Sequence, residues 1–505
     1  MKVPELDLDR LQLCIAKLVE HHDAFRLRYK RDNESTIVTS INKNSNYIQY
    51  YDNHAKQEVI KTLDVRTLSA KEGNSEFENE LQEILTDWQS NFDIENGPIY
   101  TIGYIYGYLD GSARVYLALH HLIIDSVSWR ILSEDLRDIY NGKNLGPKGS
   151  SYRQWVETVK HYLNTHKSEE LYWTGMVVDY SNNQLIKLMV SEDISNSASL
   201  RLNRKQTQQL LKESNRAYNT QVNDLLLTAL SYTLFELTGS KVNQITLEGH
   251  GREDIDSSID ITRAVGWFTT MFPVRLEIEE EISSSIKNIK ENLRKIPNKG
   301  VGYGTIIGYK RPLPRVSFNY LGQFDKEEDI NDNAVHNKYS KKSLWHIVNE
   351  TRGVSVHLSN QDYNIINIIG LVIDGELQFS IVTKLNENVT AKIAESLKQR
   401  IIEIVTHCTN KVCAEYTPSD FANVENEADL SGLPLIIGSN QYDWFEMTEI
   451  QKAYLIGRLG EYEIGNVSNH IYEEYYYNSL NVSKLESIIN LLVEKYEVLR
   501  SVFSY

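Results

Sequence analysis

Apolar residues near the start of the chain recur at helical spacing. Positions i, i+3, i+4, i+7 and i+8 are all apolar from Leu11 to Val19, which predicts an amphipathic helix with Asp9 as its candidate N-cap. The pattern returns in the tail at a constant offset of 474 residues, where Leu485, Ile488, Ile489, Leu492 and Val493 correspond to Leu11, Cys14, Ile15, Leu18 and Val19. A Val-Glu pair and an arginine are shared as well. We therefore predict an internal repeat, in which the tail opens a second copy of the architecture found at the start.

Between the two copies, the apolar pattern alternates between strand and helix periods and predicts a long α/β body. The predicted strands cover 114–121, 244–247, 272–278, 364–373 and 377–385, and the predicted helices cover 125–140, 206–214, 222–237 and 391–406. Asp374-Gly375 separates the last two strands and predicts a hairpin turn. Apolar periodicity fades near 417–440, which indicates a linker. A boundary between two lobes is expected near 165–200.

Composition narrows the possible partners and compartments. The 505 residues include 69 acidic and 53 basic side chains, and the resulting net charge of −16 argues against nucleic acid or an anionic membrane as the main partner. The sequence has no run of about 18 apolar residues and no secretory pattern at its start, so we expect no membrane span and no signal peptide. Three cysteines without zinc-site spacing or a disulfide framework favour a reducing cytoplasm.

The sharpest chemical signal lies at the end of the strand predicted at 114–121. Alternation along that strand places His121 on one face and His120 on the other. A histidine at a strand end can act as a general base near neutral pH. Asp125 has two possible roles, capping the next helix through the N–H of Ser128 or forming an ion pair within the loop. Taken alone, adjacent histidines are more often structural, and metal binding is disfavoured because strand neighbours point apart.

A second signal is Glu248-Gly-His-Gly-Arg-Glu253, which also follows a predicted strand. Its two glycines indicate a tight backbone or the close approach of a ligand. Glu248 lies where the strand ends, a common place for a catalytic carboxylate, although a solvated loop glutamate is the simpler local interpretation. Aromatic residues in 265–274 and 317–323 are expected in the core. The glycines at 300–304 lack the Lys-Ser/Thr ending of a P-loop.

In this order and spacing, the motifs resemble those of the condensation-domain superfamily of non-ribosomal peptide synthetases, and most closely its epimerization branch. The superfamily motif of two histidines, three residues and an aspartate is matched by His120, His121 and Asp125, and the Ser128-Trp129 ending is typical of epimerization domains. Four further segments match motifs of that branch, at 248–253, 265–273, 298–304 and 318–322. The resemblance spans roughly 1–425, and five ordered matches outweigh the local structural interpretations of His121 and Glu248.

The resemblance implies a mixed α/β (α+β) fold of two chloramphenicol-acetyltransferase-like lobes in a V shape, with an active-site tunnel between them. It implies epimerization, from L to D at Cα, of an aminoacyl or peptidyl thioester on the 4'-phosphopantetheine arm of a peptidyl carrier protein. Neighbouring synthetase modules are further expected partners, and neither a metal nor a cofactor of the domain's own is expected. The expected catalytic pair is His121 and Glu248, and the expected supporting residues are His120, Asp125, Ser128, Trp129, Asn319 and Tyr320.

The resemblance also sets the expected domain bounds. The N-terminal lobe is expected at 1–175 and the C-terminal lobe at 176–425, followed by a linker at 426–445. The start of a downstream domain, of the condensation or heterocyclization type, is expected at 446–505. Relative to the family, the first strand and helix of the N-terminal lobe, about 40 residues judged from the second copy, are missing, and their loss would expose core.

Two other functions stay open at this point. A peptide-bond-forming condensation domain would show a glycine after Asp125 and no glutamate at 248, whereas this chain has Ser126 and Glu248. A non-catalytic platform that binds carrier proteins is favoured if the shortened start collapses the tunnel.

Overall fold

The computed structural model describes residues 1–32, 46–54, 59–176, 183–308, 312–323, 345–348, 350–357, 359–421, 446–456, 472–477 and 479–502. The strands are β1 Lys2–Pro4, β2 Leu27–Asp32, β3 Asn46–Tyr51, β4 Lys61–Asp64, β5 Tyr100–Tyr106, β6 Ser112–Leu119, β7 Asn196–Arg201, β8 Val242–Gly249, β9 Thr270–Glu277, β10 Val316–Gln323, β11 Ile366–Ile373 and β12 Glu376–Thr383. The α-helices are α1 Leu8–His21, α2 Ser75–Gln89, α3 Ser126–Tyr140, α4 Tyr152–Thr165, α5 Glu169–Met176, α6 Asn183–Leu188, α7 Arg204–Gln208, α8 Val222–Thr238, α9 Ile282–Arg294, α10 Tyr303–Ile306, α11 Glu387–Thr409, α12 Glu449–Ile456 and α13 Val482–Lys495.

The first half of the body, residues 1–176, is built on a four-stranded sheet with the order β1-β6-β5-β4. Strand β6 is antiparallel to both β1 and β5, whereas β4 runs parallel to β5. Helices α1 and α3 pack against each other and bury the predicted apolar stripe, with Leu11 and Leu18 at 0% exposure. The predicted cap was wrong by two residues. Because α1 begins at Leu8, Asp7 is the N-cap and accepts from the N–H of Arg10 at 2.7 Å, while Asp9 lies in the first turn.

The second half, residues 183–421, is built on a six-stranded sheet with the order β7-β12-β11-β10-β8-β9. Strand β10 runs parallel to both β11 and β8, and the other pairs are antiparallel. The predicted hairpin is confirmed: Asp374 and Gly375 both have positive φ angles, of 53° and 73°, as a two-residue turn between right-twisted strands requires. Helices α8 and α11 pack against each other and supply much of the core of this half.

Two predicted elements differ in detail from the structure. The helix predicted at 206–214 starts as α7 and then continues as a π turn at Gln209–Glu213 and a 3₁₀ turn at Ser214–Ala217. The linker predicted from 417 begins later, because residues up to 421 are still packed on the body. Within that segment, the two carboxylate oxygens of Asp420 each accept a hydrogen bond from Lys290 Nζ at 2.6 Å. The Asp420 side chain is 5% exposed and the Lys290 side chain 1%.

A strap, residues 345–348 and 350–357, lies on the first half and precedes β11 of the second half in the chain. Lys2 and His346 exchange backbone hydrogen bonds of 2.8 and 3.2 Å, so the strap extends the β1 edge of the four-stranded sheet. Arg114 on β6 donates to Glu350 through two nitrogens, with Nη2 at 2.7 Å from Oε1. Farther along, the N–H of Val354 donates to Thr86 on α2 at 2.9 Å. The strap thus attaches the two halves along the first sheet.

The tail repeats the local structure of the start of the chain. Helix α13 covers the same fourteen positions as α1 at the offset of 474 residues, and its N-cap Asn481 corresponds to Asp7. Both helices are followed by a four-residue 3₁₀ turn, Asp23–Arg26 and Glu497–Arg500. The predicted helix of the tail is confirmed, and both the internal repeat and the downstream domain stay predictions. The linker predicted at 426–445 lies outside the described residues.

The chain divides into two compact units, Met1–Gly432 and Leu433–Tyr505. Among the helices that the structure describes, none combines the length and the apolar character that crossing a bilayer requires.

Candidate active site

The histidine pair lies in a tight turn rather than on a strand. Strand β6 ends at Leu119, and His121–Ile123 form a 3₁₀ turn with His120 as N-cap, so strand alternation does not extend to the pair. The His120 ring accepts from the N–H of Leu122 at 3.2 Å, and burial followed by the neighbouring His121 charge lowers the pKa of His120. His121 is exposed, and the centre of its ring lies 4.9 Å from that of Trp267. His120 therefore shapes the turn, and His121 is the accessible imidazole.

Asp125 performs both of the roles that the sequence left open. Its Oδ1 accepts from the N–H of Ser128 at 2.7 Å as the N-cap of α3, and both of its oxygens lie 3.2 Å from Arg252 Nη2. Its Oδ2 also accepts from the N–H of Phe268 at 3.1 Å. The carboxylate is 4% exposed and saturated by these donors, so it holds the loops together.

These contacts form a clasp between the two halves, which we define by Asp125, Ser128, Arg252, Gly266 and Phe268. The Ser128 hydroxyl donates to the Gly266 carbonyl at 3.0 Å and accepts from its N–H at 3.2 Å. The Arg252 guanidinium also donates to that hydroxyl at 2.8 Å and lies 3.9 Å from the centre of the Phe268 ring. The clasp fixes the turn that carries His121 against the loop that follows β8.

Glu248 lies near the end of β8, in the second half. Its strand neighbour Leu247 packs in the core, so Glu248 points to the opposite face of the sheet. Asn319 on β10 points to that same face, and its side-chain amide donates to Glu248 Oε2. Burial raises the pKa of Glu248 above its ordinary value of 4.5, while the His121 charge and the Asn319 hydrogen bond act in the opposite direction. A carboxyl group with a raised pKa is suited to exchange protons near neutral pH.

The structure brings His121, Glu248 and Asn319 to one site, with the first two contributed by different halves. The clasp holds the turn of His121 against the loop that directly follows β8, the strand of Glu248, and Asn319 donates to the Glu248 carboxylate. Tyr320 does not share that site, because it packs against the core of the second half, where burial raises its pKa to about 12. The expectation that Asn319 and its neighbour Tyr320 both line the site was therefore wrong for Tyr320, since adjacent strand residues point to opposite faces. Trp129 packs against the core of the first half.

Sequence reasoning missed two residues of this region, Arg252 and Trp267. Arg252 is the charge partner of Asp125, and Trp267 contacts the His121 ring. Both lie inside segments that the sequence had singled out, Glu248–Glu253 and Val265–Pro273. The missing information was the pairing of these two loops with the 120–128 turn, which lies more than 120 positions away along the chain.

The glycine-rich segment at 298–304 has a structural role in the described part of the chain. Asn298 and Lys299 have positive φ angles of 37° and 45°, and the Asn298 amide donates to the buried Glu169 at 3.1 Å. Glu169 also accepts from the Tyr162 hydroxyl. A side chain at Gly302 would place its Cβ 2.6 Å from Glu169 Oε2, so the glycine leaves room for the buried carboxylate. Within the described residues, no group of three His, Cys, Asp or Glu side chains is arranged to hold a metal ion.

Comparison with known proteins matches the condensation-domain family model over residues 2–425. The N-(5-amino-5-carboxypentanoyl)-L-cysteinyl-D-valine synthase of Amycolatopsis lactamdurans is 39% identical over 324 residues, which are 64% of this chain and 8% of that protein. Bacitracin synthase 3 of Bacillus licheniformis is 31% identical over 97% of this chain, which again corresponds to 8% of the relative. The chain thus spans a small part of the curated relatives that it matches.

Among solved structures, the epimerization domain from the third module of tyrocidine synthetase B superposes with a TM-score of 0.66. It is 28% identical, and the match covers 81% of this chain and 92% of that domain. The chain therefore belongs to the condensation-domain family. Its mixed α/β fold is the chloramphenicol-acetyltransferase-like fold expected from the sequence, and its relatives are non-ribosomal peptide synthetases.

Proposed function

We propose that this chain epimerizes, from L to D at Cα, an aminoacyl or peptidyl thioester on the 4'-phosphopantetheine arm of a peptidyl carrier protein. The observation that carries the proposal is the clasp, which fixes the turn of His121, from the first half, against the loop that directly follows Glu248 on β8, in the second. Inversion at carbon needs two proton-exchanging groups on opposite sides of the same atom. Two side chains contributed by opposing halves suit that requirement.

The chemistry needs no cofactor of the domain's own. The thioester carbonyl acidifies the Cα–H bond and takes up the charge when that bond breaks. One of the two groups removes the proton and leaves a flat enolate. The other delivers a proton to the opposite face, and a new Cα–H bond forms. General acid–base assistance contributes about 10²–10⁴-fold for each group.

The raised pKa of Glu248 supports its role in this pair. Burial raises the pKa of Glu248 above its ordinary value of 4.5, the direction that makes its carboxylate a stronger base. The Asn319 amide stabilises the charged form and fixes the orientation of the carboxylate. Both features support Glu248 as one of the two proton-exchanging groups.

The relatives support the same activity. The Amycolatopsis lactamdurans relative is named for a product that contains D-valine, and the compared tyrocidine synthetase structure is an epimerization domain. Peptide-bond formation is the second candidate, because the matching family model is that of condensation domains. Ser126 after the motif aspartate and the carboxylate at Glu248 favour epimerization over that alternative.

The test is deuterium incorporation at Cα when the chain is incubated in deuterated water with an L-aminoacyl carrier protein. We expect exchange and a mixture of L and D thioesters with the wild type, and a loss of at least about 100-fold in His121→Ala and Glu248→Gln. Leu171→Ala is the matched control, because that side chain is 83% exposed on α5. Acyl transfer to an acceptor carrier without exchange would instead identify a condensation domain. Neither reaction would favour a carrier-binding platform, and full activity in both site variants would refute the pair.

A further inference from the structure

The tripeptide Gly266-Trp267-Phe268 belongs to the second half, and side chains of the first half bond to the backbone of each of its three residues. The Ser128 hydroxyl bonds to both the N–H and the carbonyl of Gly266, and Asp125 accepts from the N–H of Phe268. Between them, the Trp267 carbonyl accepts from the Tyr152 hydroxyl on α4 at 2.8 Å. Four backbone groups over three residues are thus fixed by side chains from the other half.

Close packing adds to these hydrogen bonds. A side chain at Gly266 would place its Cβ 2.6 Å from the Tyr152 ring, so only glycine allows the ring to lie against the backbone. The Tyr152 ring also meets Phe268 edge-on, with 5.1 Å between ring centres. Phe268 is 3% exposed. The backbone that carries Trp267 is therefore held on both sides.

The indole itself is not part of a core. Trp267 is 37% exposed, and its ring centre lies 4.9 Å from that of His121 at an interplanar angle of 55°. The indole is therefore a large apolar side chain on a rigidly held backbone, with more than a third of its surface open to solvent and one contact to an exposed histidine. Its position is best explained by what it does to the imidazole.

We propose that Trp267 is a positioning residue for His121, whose indole restricts the imidazole to the orientation that faces the Cα of the bound thioester. An exposed histidine at a turn can adopt several χ1 and χ2 combinations, and contact with a fixed aromatic ring removes some of them. Displacement of a catalytic group by about 1 Å can cost about 100-fold in rate. The inference rests on the proposed function and adds the residue that orients one of its two proton-exchanging groups.

The clasp gives this positioning a physical basis. Asp125 and Ser128 belong to the same turn as His121, and they bond to the residues on either side of Trp267. The imidazole and the indole are therefore attached to one hydrogen-bonded unit, although they come from different halves. The histidine motif thus fixes its own catalytic ring indirectly, through the backbone of a distant loop.

The experiment uses the full chain with Trp267→Ala and Trp267→Phe and has two readouts. The first is the steady-state kinetics of epimerization of the L-aminoacyl carrier protein. We expect Trp267→Ala to lower kcat by about 10- to 100-fold with KM changed less than about threefold, and Trp267→Phe to restore most of kcat. The second is the ring-proton NMR signal of His121, assigned by its disappearance in His121→Gln. We expect this signal to shift in Trp267→Ala, because the ring current of the indole is removed.

The two readouts separate the inference from the proposed function. Wild-type kcat in Trp267→Ala, or a loss that appears only in KM, overturns the positioning role while epimerization stands. An unmoved His121 signal in Trp267→Ala overturns the contact itself. If the wild type fails to epimerize, the proposed function fails and the positioning role falls with it, while the NMR shift still decides whether the indole contacts His121. Tyr152→Phe removes only the hydroxyl that bonds to the Trp267 carbonyl, and an intermediate loss of kcat supports the proposal.

Discussion

Arg252 is the residue whose removal tests the clasp most directly. Its guanidinium is 3.2 Å from both oxygens of Asp125, 2.8 Å from the Ser128 hydroxyl, and 3.0 and 2.7 Å from the carbonyl oxygens of Ile261 and Ala264. At an effective dielectric constant of about 20, a charge pair at that separation gains about 5 kcal/mol of attraction, which offsets the cost of removing both ions from water. The side chains of Arg252 and Asp125 are 7% and 2% exposed.

Replacing Arg252 by Met leaves the Asp125 carboxylate buried without its cation. We expect a loss of about 3–5 kcal/mol in the free energy of unfolding, measured by urea denaturation of the unit Met1–Gly432 within the full chain. Asp125→Asn is expected to be comparably destabilising, since it leaves the guanidinium unpaired. The double variant should cost less than the sum of the single variants by about 2 kcal/mol or more, because no buried charge remains.

The same variants link stability to the site. Below their unfolding midpoints, Arg252→Met and Asp125→Asn should still show reduced epimerization, because the loop that carries Trp267 is no longer fixed to the histidine turn. Arg252→Met with a loss below about 1 kcal/mol, or strictly additive energies in the double variant, would refute the claim that this ion pair holds the two loops together.

Three further results are expected. Gly251 has a φ angle of 65°, and a Cβ there would lie 1.7 Å from a backbone oxygen across the loop, so Gly251→Ala should lose more than about 2 kcal/mol in the free energy of unfolding, measured by urea denaturation. Gly175→Ala is the control, because the space around its Cβ is open, and equal stabilities of the two variants would contradict the prediction. Because burial raises the pKa of Glu248, its stabilising contribution is present below the ordinary value of 4.5 and lost as pH rises through the folded-state pKa. Glu248→Gln should therefore gain stability relative to the wild type as pH rises above 4.5, and a pH-independent difference would exclude this cause. Lys290→Met leaves the Asp420 carboxylate without its cation and should cost about 3–5 kcal/mol in the same assay, much of it recovered by replacing Asp420 with Leu as well; a double variant no more stable than Lys290→Met would argue against the pair.

Much of the fold could be predicted because local patterns decided it. The α1 stripe, the helix after Asp125 and the Asp374-Gly375 hairpin follow from apolar spacing, capping and turn chemistry. The prediction of the α1 cap was wrong because two neighbouring aspartates could each have capped the helix. Asp9 is a good cap residue, but the chain enters the helix two positions earlier, where Asp7 reaches the N–H of Arg10.

The candidate site was only partly predictable for a different reason. His121 and Glu248 were identified through a family resemblance, whereas their proximity depends on two loops that are distant in sequence. Nothing local in the sequence near Arg252 indicates that its partner is Asp125. Tyr320 shows the opposite error, since a motif neighbour of Asn319 was assumed to share its face, and the strand pleat separates them.

The strap and the clasp join the two halves at two separate places. A motion that separates the halves would therefore work against the hydrogen bonds of the clasp and against those that hold the strap on the first sheet. For the thioester substrate proposed above, access with the halves still joined would make the length of the carrier's arm a limit on which reactive carbons arrive between His121 and Glu248.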